Sequence, residues 1–218
     1  MRVIGGVWRG RRLTAPAGRA TRPTADRVRE AIFDVLPTLV GPWPAGGDDD
    51  AHELAEPDAG ADGPLAGCAV AGGQLAGHVV LDLFAGAGGL GIEALSRGAA
   101  ACTFVENDAA ALRALRANLR ALDVPAARAL VRAADYQRAL TSGAAGASRY
   151  TLLFVDPPYA TYAAVEANLV RWLGELLMPG AVVVAETARG QVIDLPLAVA
   201  RVKLYGDTQV TFLLAAQK

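Results

Sequence analysis

The chain's most chemically loaded stretch is "TLLFVDPPYATY", residues 151–162, where an apolar run passes directly into Asp156, Pro157, Pro158 and Tyr159. The two prolines fix φ near −65° and bias the residue before each toward extended backbone. Such a loop is rigid and holds the Asp156 carboxylate and the Pro157 carbonyl close together as two acceptors. Two fixed acceptors suit one planar amino group with two N–H bonds and keep its nitrogen lone pair aimed at an electrophile. Tyr159 adds a face on which an extruded base can stack. The bland alternative is a stiff turn with an exposed aspartate, but four such residues after a buried run favour amine chemistry.

A second cluster lies upstream in "LDLFAGAGGLG", residues 81–91, where Gly86, Gly88 and Gly91 match G-x-G-x-x-G and Glu106 follows later. The pattern fits a nucleotide site in which glycines admit a ligand close to the backbone and Glu106 holds ribose hydroxyls. It equally fits glycines that serve tight packing alone. Asp82, inside the apolar run, is costly to bury without a polar or cationic partner. It repels a pyrophosphate and favours a cationic amino-acid group. Asp135, in "RAADYQ", offers either an acceptor for an adenine amino group, with Tyr136 covering the ring, or the N-cap of a helix at "YQRAL". Asp82, Glu106, Asp135 and Asp156 form an acidic rim suited to a cofactor with an adenosine and an ammonium.

These residues need a scaffold, and the apolar periodicity supplies one. From His78 onward, strands read as "HVVLDLF", "CTFVE", "ARALVRA", "TLLFVD" and "AVVVAET", with helices "GLGIEALSRG", "DAAALRALRANLRAL" and "AAVEANLVRWLGELL" between them. Alternating strands and helices imply an α/β fold, a mostly parallel sheet with helices on both faces. The tail "RVKLYGDTQVTFLLAA" reads as two strands joined at "YGDTQ", which adds an antiparallel hairpin. Residues 2–13 read as a small hairpin with Gly5, Gly6 and Gly10 as breakers. The following helix, "TRPTADRVREAIFDVL", is capped by Thr21 or Thr24 and carries the stripe Val28, Ile32, Val35, Leu36 and Leu39.

A net charge of −1 hides a segregation. Residues 1–30 hold eight arginines against Asp26 and Glu30, whereas residues 41–77 hold seven acids and no lysine or arginine. Three parts are expected: a basic N-terminal extension at 1–40, a mobile acidic insert at 41–77 without periodicity, and the α/β domain at 78–218. A basic block of this density calls for a polyanion partner. No apolar run is long enough for a membrane span, and the N-terminus has no signal-peptide h-region. Cys68 and Cys102 read as reduced structural thiols, and His52 and His78 have no partner at metal-ligand spacing. A cytoplasmic monomer without a metal is expected.

The segments "VLDLFAGAGGLG", "FVE", "AAD" and "VDPPY", in this order, resemble the class I methyltransferases that use S-adenosylmethionine, and "DPPY" resembles the group that methylates exocyclic amines of bases. "RVIGGVWRGRRL", "TRPTADRVREAIFDVL" and "GIEALSRGA" are similar to the bacterial RsmD-type enzymes, which methylate N2 of a guanine in 16S ribosomal RNA. That resemblance implies a Rossmann-like, mostly parallel seven-stranded sheet. It further implies that Asp82, Phe84, Ala85, Gly86 and Gly88 line the methionine end of S-adenosylmethionine, that Glu106 holds the ribose hydroxyls with Asn107 stacked nearby, and that Asp135 and Tyr136 read the adenine. Asp156 and Pro157 would accept from the guanine amine, Pro158 would complete the rigid catalytic loop, and Tyr159 would stack. Arg2, Trp8, Arg9, Arg11, Arg12, Arg22, Thr24, Arg27 and Arg29 would grip 16S rRNA in the small ribosomal subunit or its assembly intermediate. For Trp8, packing against the body is an equal alternative to base stacking.

Two departures stand out. Ala87 replaces the hydroxyl residue common after the first glycine, and the acidic insert has no place in the family pattern. Rival readings are a DNA adenine-N6 methyltransferase, a nicotinamide oxidoreductase resting on the glycines and Glu106, and a non-catalytic RNA-binding assembly factor. The oxidoreductase leaves "DPPY" and the basic block unexplained.

Overall fold

The structure is a computed structural model that describes residues 1–16, 26–43, 73–141 and 149–217. The expected caps Thr21 and Thr24, Arg22, Cys68, His52 and most of the acidic insert lie outside the described residues. Seven strands form one sheet: β1 (Val79–Asp82), β2 (Ala101–Glu106), β3 (Ala129–Ala133), β4 (Tyr150–Val155), β5 (Leu177–Ala188), β6 (Ala198–Tyr205) and β7 (Thr208–Leu214). Their order is β3-β2-β1-β4-β5-β7-β6. All neighbouring pairs from β3 to β5 are parallel, and β7 runs antiparallel between β5 and β6. The order reverses between β1 and β4, the switch point at which α/β sheets bind ligands.

Continuous apolar runs such as "YTLLFV" in β4 are buried on both faces, as a strand inside a covered parallel sheet requires. Side chains alternate between two cores. Val80, Phe104, Leu152, Phe154, Val184 and Phe212 point to the first, which is closed by α1 (Asp26–Leu39), α2 (Gly89–Ser96) and α3 (Ala109–Ala121). Leu81, Val105, Leu153, Val155 and Val183 point to the second, under α4 (Tyr136–Thr141) and α5 (Tyr162–Leu176). Each of these large apolar side chains contributes about 1.5–3 kcal/mol on burial. Helix α3 starts cleanly because the Asp108 carboxylate accepts from the Ala110 and Ala111 amides at 2.9 and 2.8 Å.

The N-terminal hairpin is smaller than expected. It consists of one antiparallel bridge, Arg2 with Arg12, around a short 3-10 turn at Gly6–Trp8. Val3, Leu13, Val28, Ile32, Phe33 and Leu36 all belong to the first core, so the basic block is packed into the body of the protein. The two ends of the acidic insert are held as well. Trp43 N donates to Ala76 O at 2.9 Å, and Leu75 N donates to Arg97 O at 3.1 Å. His78 Nε2 lies 3.0 Å from Gly41 O and its Nδ1 lies 2.9 Å from Thr151 Oγ1. The histidine thereby serves as a buried structural link.

Candidate active site

Strand β1 ends at Asp82 and β4 at Val155, and Leu83 N donates to Phe154 O at 3.1 Å, so the two strand ends lie side by side. The glycine turn and "DPPY" therefore meet at the switch point. Asp82 is buried, and its Oδ2 accepts from Gly91 N at 2.9 Å. Burial, opposed by that hydrogen bond and reinforced by the nearby Asp156 and Glu106 carboxylates, raises the Asp82 carboxyl from 3.8 to about 7. A carboxyl whose charged form is disfavoured by burial and by two neighbouring carboxylates gains from an ammonium partner.

The three motif glycines have different jobs. A Cβ on Gly91 would come 2.3 Å from Phe104 Cε1 and 2.6 Å from Cys102 Sγ, so this glycine lets α2 pack on β2. Gly88, at φ +87°, would meet Leu115 and Ile92 in the same way. Gly86, at φ +55°, has nothing within 4 Å of a Cβ position and opens onto free space. It alone has the character of a ligand cradle, and the residues around it fit S-adenosylmethionine.

Glu106 is clamped at its post: Oε2 accepts from Gly86 N at 2.8 Å, and Oε1 accepts from Asn107 N and Asp108 N at 2.8 and 2.7 Å. Asn107 itself is exposed. The clamp fixes the carboxylate against the turn while its remaining lone pairs stay available to hydroxyl donors. Asp135 does cap α4, its Oδ1 accepting from Arg138 N at 3.0 Å. The ring of Tyr136 lies 5.3 Å from that of Phe84, and its hydroxyl accepts from Asn168 Nδ2 at 3.2 Å. Ala85 is buried beside the turn, and its amide donates to Val105 O at 3.0 Å.

After β4, Asp156 is half-buried, Pro157 is buried and Pro158 is exposed. Tyr159 is 37% exposed, and its hydroxyl is hydrogen-bonded to Thr208 Oγ1 at 2.9 Å. The tyrosine is thus tethered across the sheet instead of swinging in solvent.

Arg2, Arg9, Arg11, Arg12 and Arg27 are exposed. Arg11 Nη2 donates to Ala121 O at the end of α3. A cleft of about 400 Å³ lined by Met1, Arg2, Arg12, Leu13 and Asp26 lies beside α2, because Met1 Sδ is 3.2 Å from a Cβ position on Gly89. Trp8 packs partly buried against the first core, and its amide donates to Ser96 Oγ at 3.0 Å.

Arg29 corrects the sequence expectation. It is fully buried, with Nη2 donating to Asp26 Oδ1 at 2.9 Å and to Arg2 O, and Nε 4.0 Å from Glu93 Oε2. A guanidinium sealed in the core cannot reach RNA, and its role is to hold α1, α2 and the N-terminal segment together.

Two positioning residues were not singled out from the sequence. Glu93 is buried on α2, accepts from Ile4 N and Gly5 N at 2.8 and 2.7 Å, and pairs with Arg97 at 2.8 Å. Its signal was a lone carboxylate amid the apolar "GLGIEALS". Asn118, buried on α3, accepts from Thr14 N at 2.7 Å and donates to Thr14 O and Ala87 O at 3.0 and 2.9 Å. The basic segment and the glycine turn are therefore fastened to one side chain. Among the described residues, no group of three or more potential ligands could hold a metal, and no helix is long and apolar enough to cross a membrane.

The family model for conserved hypothetical protein 95 matches residues 1–42 and 69–214. A Bacillus subtilis (strain 168) protein, YlbH, provisionally named an rRNA methyltransferase, is 38% identical over 73% of this chain and 67% of its own length. Ribosomal RNA small subunit methyltransferase D of Escherichia coli K12 is 35% identical over 73% of this chain, and the matched region spans 60% of that relative. Among solved structures, the Thermus thermophilus protein TTHA0928 superposes with a TM-score of 0.70 at 26% identity, covering 100% of this chain and 99% of that one. SMU.776, solved in complex with SAH, shares the fold at 17% identity and a TM-score of 0.55, over 64% of this chain and 46% of its own. A seven-stranded class I methyltransferase sheet carrying these motifs, and a family match across most of its length, make this chain a member of the RsmD-type methyltransferase family.

Proposed function

We propose that this protein transfers the methyl group of S-adenosylmethionine to the exocyclic N2 of a guanine, of the guanine 966 type, in 16S rRNA of the small ribosomal subunit. The observation that carries the reading is the placement of Asp156 and Pro157 at the switch point, one strand from Asp82 and the open Gly86. The names of the relatives support ribosomal RNA as the substrate.

When bound, the cofactor supplies a methyl group activated by a sulfonium. Asp82 receives the ammonium, Phe84, Ala85, Gly86 and Gly88 bound the methionine end, and Glu106, with Asn107 beside it, takes the ribose hydroxyls. Tyr136, paired with Phe84, flanks the adenine, and the second oxygen of Asp135 accepts from its amino group. At the other end, Asp156 and the Pro157 carbonyl accept the two N2 hydrogens, Pro158 stiffens the loop, and Tyr159 stacks on the extruded base. Holding both hydrogens keeps the nitrogen lone pair on the methyl carbon, so positioning and electrostatics carry the rate. The transfer would exchange the methyl group's C–S bond for a C–N bond, the bonding pair leaving on sulfur, and the N2 proton would pass to Asp156 or to solvent. Exposed Arg2, Arg9, Arg11, Arg12 and Arg27 hold phosphates, and we assign RNA contacts to Arg22 and Thr24 from their sequence alone. The protein acts as a cytoplasmic monomer on the subunit or its assembly intermediate.

The test is methyl transfer from labelled S-adenosylmethionine to small subunits, followed by mapping of the product, with Asp156→Ala as the control. Label at guanine N2, lost by at least about 10²-fold in Asp156→Ala, supports the reading; label at adenine N6, or none in RNA, overturns it.

A further inference from the structure

We propose that Glu186 is the residue that reads guanine, by accepting a hydrogen bond from its N1–H; the inference rests on the base-amine transfer proposed at Asp156. Strand β5 lies directly beside β4, and Val155 pairs in register with Ala185. Asp156 is the first residue beyond β4 and Glu186 follows Ala185 in β5, so both come one step after the last paired residues, at the same edge of the sheet. They also share a face. Phe154 and Val184 point into the first core; alternation along β5 puts Glu186 on that side, and the extended backbone imposed on Asp156 by the following proline carries the same alternation one step past β4. Asp82, two residues after Val80, follows the same alternation on the strand at the other side of β4.

Tyr159 marks what lies above Glu186. It leaves the end of β4, yet its hydroxyl bonds Thr208 of β7, on the far side of β5. Thr208 pairs with Ala188 and Val210 with Glu186, so the tyrosine crosses the end of β5 close to where Glu186 sits. A base stacked on Tyr159 with its amine at Asp156 has its Watson–Crick edge directed along this row of strand ends. Glu186 is 7% exposed, and in its ionised form the side chain is an acceptor only.

The chemistry then selects one base. On that edge guanine offers N1–H beside the N2 amine, two neighbouring donors for Glu186 and Asp156. Adenine offers an N1 acceptor beside its N6 amine, and a lone pair facing the Glu186 carboxylate is repelled. Asp156, Pro157 and Tyr159 serve any planar amine; Glu186 adds the discrimination.

The experiment uses small subunits reconstituted with RNA carrying guanine or 2-aminopurine at the methylated nucleotide. The analogue keeps the N2 amine but has an N1 acceptor in place of N1–H. The full-length wild type is expected to favour guanine in kcat/KM by at least about 10²-fold, as sites built around one hydrogen bond do. Glu186→Gln is expected to bring that ratio within about tenfold, because the amide can donate to N1, while affinity for S-adenosylmethionine stays within about twofold. A general structural lesion would slow both substrates alike. Equal wild-type rates on the two bases overturn the inference without any variant, and so does a folded Glu186→Gln protein that keeps the wild-type ratio. Absence of any methyl on guanine N2 overturns the proposed function itself, a result visible before the analogue is tried.

Discussion

Replacing Asp82 with asparagine should stabilise the free protein and abolish its purpose. In the folded chain the Asp82 carboxyl titrates at about 7 against 3.8 for an unburied group, chiefly through burial. Its folded form therefore holds a proton that the unfolded chain has already released. The contribution to stability is whole below about pH 3.8 and is lost as pH rises through about 7. At 1.36 kcal/mol for each unit of that interval, the loss comes to about 4 kcal/mol by pH 8. The amide introduced by Asp82→Asn cannot ionise, and its side-chain carbonyl still accepts from the Gly91 backbone N–H. Wild type and variant should thus be equally stable near pH 4, and the variant more stable by about 4 kcal/mol at pH 8. For a chain of this size that is roughly a 10 °C difference in Tm. Thermal unfolding of the free proteins from pH 4 to pH 8 measures it. Isothermal titration with S-adenosylmethionine supplies the second half: affinity should rise about tenfold per pH unit below 7 in the wild type and be weak and flat in Asp82→Asn. Parallel stability profiles across the range would refute the reasoning, since the burial cost would then not be carried by this carboxyl.

The buried Glu93 cluster gives a stability test: Glu93→Ala strands the Ile4 and Gly5 amides, removes the carboxylate paired with Arg97 and facing Arg29 Nε, and should cost about 3–5 kcal/mol in denaturant unfolding. The arginines give a binding test on small-subunit RNA. Arg9→Ala and Arg12→Ala should each lower the slope of log affinity against log salt by about one while leaving Tm unchanged, whereas Arg29→Ala should lower Tm without that change in slope because the side chain is sealed in the core.

Most of the scaffold was legible in the chain. The strands of this sheet are short apolar runs and the helices carry stripes at helical spacing, both short-range patterns that depend on few neighbours. Asp135 shows where such reading stops: cap and ligand chemistry demand the same residue type, and only the Arg138 amide at 3.0 Å established the cap. The three glycines were likewise indistinguishable until the space around each was known, since Gly91 is enclosed by Phe104 and Cys102 while Gly86 faces open space. The smaller N-terminal hairpin follows from competition. Backbone groups of Ile4, Gly5 and Trp8 bond to Glu93 and Ser96, and so are not spent on a longer ladder.

By itself, the sequence determined the order of strands and helices, the glycine turn, the "DPPY" loop and the concentration of arginines near the N-terminus. Those are properties of neighbouring residues, fixed by local sterics and the periodicity of burial. Only the tertiary structure decided that Arg29 is a core cation while Arg12 faces outward, that Asn118 joins Thr14 to the glycine turn, and that Val155, just before Asp156, pairs with Ala185, just before Glu186. Each of those depends on register and packing between segments far apart in the chain. A charged side chain has the same identity in either setting; what surrounds it after folding decides whether it holds the core or meets the substrate.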